Sequence, residues 1–148
     1  MQSTTRWIVG MLILIGLTLS ACSQHAGTHH KIEPAHVEHL EGSELSRVTL
    51  TEKAIERLDV QTERARMADV ARSETQRLVI PYSAVLYDEH GKTWVYKSPS
   101  PRTYVRHHIE IDYIDGELAV LSDGPPAGTD VVSIGAAELL GTEFEVGH

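Results

Sequence analysis

Cysteine is almost absent from this chain. Cys22 is the only one, so no disulfide can form within the chain and no multi-thiolate metal site is available. Positive charge is also scarce. Thirteen Lys and Arg stand against twenty-one Asp and Glu, for a net charge of −8. Such an acidic chain is a poor partner for nucleic acid or any anionic surface, because binding there rests on neutralising phosphates. Catalytic signatures are missing as well. Ser83 lacks the Gly-x-Ser-x-Gly elbow, no Gly-rich phosphate cradle is present, and no His-Glu-x-x-His pair occurs. The expectation is a protein that is not an enzyme.

Apolar runs are short everywhere but at the start. Arg6 is the only charge ahead of an uncharged stretch from Trp7 to Leu19, which ends at Leu19-Ser20-Ala21-Cys22. A basic start, a brief apolar segment and small residues before a cut site describe a secretory signal. The stretch falls short of the roughly 20 apolar residues a membrane-crossing helix needs. The alternative is an uncleaved helical anchor with an incidental cysteine. Leu-Ser-Ala-Cys resembles the lipobox of bacterial lipoproteins. The resemblance implies cleavage of a 1–21 signal peptide, lipidation of Cys22 and attachment to a membrane by acyl chains. Several chains are needed for lasting attachment, since one chain holds only weakly. Ser23 resembles the outer-membrane sorting signal of enteric lipoproteins, where Asp would retain the protein at the inner membrane. The expected location is the cell envelope, on the periplasmic side, anchored to the outer or inner membrane.

Residues 22–44 are expected to be a flexible, His-rich tether. They carry Gly27, Pro34, Gly42 and few large apolar groups, too little to offset the entropy of ordering them. His25, His29, His30, His36 and His39 lie here. If Pro34 opens a helical turn, His36 and His39 share a face, and nearby Glu33, Glu38 or Glu41 could complete a Zn or Cu site. The competing reading is a solvated linker with incidental histidines.

From Leu45 to the end, 45–148 is expected to be one β-domain. Arg47–Leu50 suggests a strand. Thr51 can cap a short helix bearing Ala54, Ile55 and Leu58 on one face, and Val60–Thr62 is extended again. Glu63 to Arg77 fits helix, strand or loop. Leu78–Ile80 and Ser83–Tyr87 suggest strands, and Asp88 to Lys92 a hairpin turn into a strand over Thr93–Lys97. Ser98 to Pro101 is expected to be a loop. From Tyr104 to Ile114 the period is two: Val105, His107, Ile109, Ile111 and Tyr113 share one face, and Arg106, His108, Glu110 and Asp112 the other. His107 is expected inside and His108 outside. Strands follow at Leu118–Leu121 and Val131–Ile134, then a helical turn over Gly135–Leu140 and a last strand over Glu143–Val146. The expected fold is mainly β: a small barrel or sandwich with a short helix. Trp94, Tyr96, Tyr104 and Tyr113 fit either core positions or a ligand groove.

Two regions resemble a known family. Ile80-Pro81-Tyr82-Ser83-Ala84-Val85, continuing through Asp88, Gly91 and Thr93-Trp94-Val95-Tyr96, is similar to the C-terminal part of periplasmic adaptor proteins. These are the membrane fusion proteins of RND and HlyD-like efflux systems. Gly128-Thr129-Asp130-Val131-Val132-Ser133-Ile134-Gly135-Ala136 resembles their final strand. Val48–Thr51 and Leu58–Thr62 resemble their opening strand-helix-strand, with Asp59 where Gly is frequent; Asp tolerates the left-handed conformation. The resemblance covers Ser46–Thr62 and Val79–Ala136. It implies the membrane-proximal β-domain of such adaptors, a role in efflux transport, and an RND transporter or full-length adaptor subunits as partners. Full adaptors insert a lipoyl domain and an α-helical hairpin between these regions. Only Glu63 to Val79 lies there, so a bridge to an outer-membrane channel is not implied. A periplasmic metal-binding lipoprotein is the alternative function.

Overall fold

The computed structural model describes residues 33–145. The expected 1–21 signal peptide, Cys22, His25, His29 and His30 lie outside the described residues. So does Val146.

The chain first forms β1 (Ala35–His39) and β2 (Ser46–Leu50), an antiparallel pair. The tether expected over 22–44 is therefore corrected at its C-terminal end. Ala35 is buried and Val37 packs beside it, so even a polar strand has one face to bury. Helix α1 (Glu52–Leu58) follows. The Thr51 hydroxyl accepts from Ala54 N at 3.2 Å and caps its first turn. At the other end Asp59 turns left-handed (φ 49°, ψ 43°). Its N–H donates to Glu56 O, and Val60 N–H donates to Ile55 O, closing the helix in a Schellman motif.

Next come β3 (Gln61–Arg64), β4 (Arg66–Ala68) and β5 (Arg77–Pro81), so the ambiguous stretch resolves into short strands and a loop. Between β3 and β4 the fully buried Ala65 carries the chain from one sheet to the other. The strand expected over Ser83–Tyr87 is instead a 3-10 turn at Tyr82–Ala84 and a short β6 (Leu86–Tyr87). The hairpin to β7 (Thr93–Ser100) turns at Gly91, whose φ of +79° suits glycine. β7 runs through the loop expected at Ser98–Pro101 as far as Ser100. Then follow β8 (Thr103–Asp115), β9 (Leu118–Asp123) and β10 (Asp130–Ile134). The last element is α2 (Ala136–Glu145): the helical turn expected over Gly135–Leu140 is present and runs on to Glu145, in place of the strand expected from Glu143. Ala136, Leu139 and Glu143 are its buried positions, a helical spacing.

These strands make a mainly β, half-barrel fold of the expected barrel or sandwich type. The long β8 is the hinge between its two sheets. Its first half pairs with β7 and β2, its second half with β9, and register shifts near Glu110–Tyr113 bend it. The concave side holds Ile80, Val95, Ile109, Leu121 and Val131. The opposite side of β2, β7 and β10 is covered by both helices, burying Val48, Leu50, Ala54, Tyr96, Tyr104, Val132 and Leu139. No helix among the described residues is long and apolar enough to cross a membrane.

Candidate functional site

Alternation on β7 and β8 decides which side chains meet the helices. Trp94 and Tyr96 face α2, and their cross-strand partners His108 and Arg106 face the same way. Arg106 thus sits under α2 rather than on a solvated face. Its guanidinium donates from Nε to Glu143 Oε2 at 2.9 Å and from Nη2 to Oε1 at 3.0 Å. The Tyr96 hydroxyl donates to the same carboxylate. Glu143 is only 4 % exposed, and every buried side-chain polar atom among the described residues has a partner. Burial first, then the adjoining Glu143 carboxylate, pushes the Tyr96 phenol far above its usual range, so it stays a donor. The triad fastens α2 to the sheet.

A cleft of about 620 Å³ opens beside this fastening. Leu86, Trp94, Leu140 and Phe144 line it with apolar surface, and Glu44 and Leu45 approach from the turn between β1 and β2. The β6–β7 hairpin supplies the remaining rim, Tyr87 to His90 and Lys92. Phe144 is 54 % exposed although it lies next to the buried Glu143. Arg106 lies 5.2 Å from both the Trp94 and the Phe144 ring centroids, so it spans the two walls. The His108 ring meets Trp94 edge-on at 5.3 Å.

Asp88 sets the shape of the hairpin. Its Oδ1 accepts from His90 N and Lys92 N at 2.9 Å each, and its Oδ2 accepts from Trp94 Nε1 at 3.0 Å. The Trp94 hydrogen bond above all, then the two backbone N–H groups, holds its carboxyl below the ordinary range. Both carboxylates touching the walls, Asp88 and Glu143, are thus saturated by internal donors. What this arrangement offers is a shaped, aromatic recess with an acidic rim, suited to binding.

The remaining sequence candidates are scattered. The helical face expected for His36 and His39 is corrected: both lie on β1, three residues apart, and project from opposite faces. His39 Nδ1 lies 3.2 Å from Ser46 Oγ. No group of three or more potential metal ligands occurs among the described residues. His107 is half-buried and His108 exposed, in the expected order. Burial, then Lys97, lowers the His107 pKa. Of the four aromatics considered, Trp94 lines the cleft, Tyr96 and Tyr104 are core, and Tyr113 stacks under Arg72 at 3.8 Å. Sequence reasoning missed Arg106, Glu143 and Phe144. The available signal was the spacing of Ala136, Leu139 and Glu143, which puts a carboxylate on an apolar helical face. Comparison with protein-family models, with curated proteins and with solved structures finds no match for this chain.

Proposed function

We propose that this chain is a non-catalytic, lipid-anchored protein of the periplasmic adaptor type, which acts by protein contact with an RND-class transporter or full-length adaptor subunits during efflux. One observation carries the reading beyond the residue resemblance. The two resembling regions are hydrogen-bonded into one sheet: β2 pairs with β8, and β3 with β10. Such pairing is what a domain built from both ends of a longer adaptor requires. The connector between them is a short strand and a surface loop, too small for a lipoyl domain or a helical hairpin. Contacts would therefore be local, near the membrane that the acyl chains on Cys22 reach.

No observation among the described residues favours the metal-binding alternative, because His36 and His39 diverge. The test is affinity purification of the full-length chain from membranes after mild cross-linking. Transporter or adaptor subunits should be recovered repeatedly. Recovery of unrelated proteins alone would reject the reading.

A further inference from the structure

We propose that the cleft between α2 and the β6–β7 hairpin is a binding site for a small lipophilic organic cation. Three observations converge on it. The volume of about 620 Å³ suits a small ligand, since such pockets commonly hold about 300–1,000 Å³. The walls present π-surface from Trp94 and Phe144, and the exposed Phe144 ring has no place in the core beneath. A π-face attracts a cation within about 6 Å of its centroid.

Charge selects the class. Glu44, Asp88 and Glu89 lie on the rim with Lys92 beside them, and His90 Nε2 lies 3.6 Å from Glu89 Oε1. Arg106 adds little, because Glu143 holds it in a bidentate pair. Arg106 already lies near both rings within the fold, which indicates what these walls accept. An anion of the same size would meet the acidic rim and no free guanidinium. A neutral ligand would gain the walls alone. The inference does not depend on the adaptor reading, which concerns protein partners.

Tetraphenylphosphonium and tetraphenylborate are matched probes, alike in size and apolar body and opposite in charge. The full-length chain carrying Trp7→Phe leaves Trp94 as its sole tryptophan. Tetraphenylphosphonium should change Trp94 emission saturably and bind at least about tenfold more tightly than tetraphenylborate. Replacing Glu44 and Glu89 together by Gln should weaken it about fivefold; both are exposed, so the fold is kept. Phe144→Ala should weaken it about tenfold, with unchanged circular dichroism confirming the fold. The proposal is overturned by the absence of a saturable response. A cation preference below about threefold, or cation affinity unchanged in both variants, overturns it equally.

Discussion

Asp88 holds the tip of a hairpin with a single carboxylate. Two backbone N–H groups and the Trp94 indole converge on it, and each donor favours the ionised form. A carboxyl lowered in the fold supports stability fully above its ordinary value of 3.8, and that support is lost as pH falls through the lowered folded value. The Trp94 indole N–H resonance reports this directly. It should keep its hydrogen-bonded position below pH 3.8 and then shift as Asp88 protonates. In Asp88→Asn that acid transition should vanish. A wild-type transition at an unperturbed carboxylate pKa would contradict the lowered value. Residue-scale signals of this kind were partly visible in the sequence. Asp88 to Lys92 marked a turn and Thr51 a cap, because each works through its own neighbours, whereas the left-handed Asp59 was suggested by the family resemblance. The indole bond was not visible, since it depends on which way the Trp94 ring turns.

Elements were legible where one face is apolar and the other is wet. The buried Val105 and Ile109 and the exposed Glu110 and Asp112 follow the period of two along β8. β1 was not legible, because His36, Glu38 and His39 are exposed and only Ala35 and Val37 reach the core. The end of α2 was misread because its third buried position is Glu143, whose partners come from β7 and β8. The candidate site depends on that same pairing, 37 residues apart in sequence, which no local pattern encodes. It also makes α2 vulnerable. Arg106→Ala leaves a buried carboxylate with only the Tyr96 hydroxyl, and should cost about 3–5 kcal/mol. That is a large part of a typical domain stability of about 5–15 kcal/mol. Arg106→Met combined with Glu143→Gln removes both charges, keeps an acceptor for the Tyr96 hydroxyl and should recover about half of the loss. Urea unfolding of the wild type and the two variants measures both steps. If the double variant is no better than Arg106→Ala, the loss lies in packing and not in the stranded charge.

At the scale of the molecule, the sheet joins distant segments, and this predicts where the chain can be interrupted. The loop between β4 and β5 is held at one end only lightly. Ala71 N–H donates to Asp115 Oδ2 at 2.8 Å, the Tyr113 hydroxyl donates to Ala71 O, and Arg72 covers the Tyr113 ring. Beyond Ser73 the loop is exposed. A flexible Gly/Ser insert of about 20 residues between Ser73 and Glu74 leaves those contacts in place. It adds loop-closure entropy that grows only as the logarithm of length, so it should lower stability by about 1 kcal/mol. Deleting residues 126–148 is the opposite case. Among the described residues β3 pairs only with β10, and Leu139 of α2 is fully buried against the sheet, so this deletion strips an edge strand of its partner and opens the helix-side core. The inserted chain should unfold cooperatively in urea, with a midpoint close to wild type and native circular dichroism. The shortened chain should show no cooperative transition. If the insertion abolishes folding, the short connector is part of the folding core and the two halves are not an independently closed domain. That result would also remove the main structural support for the adaptor reading, because a domain built from both ends of a longer chain must tolerate an insert between them.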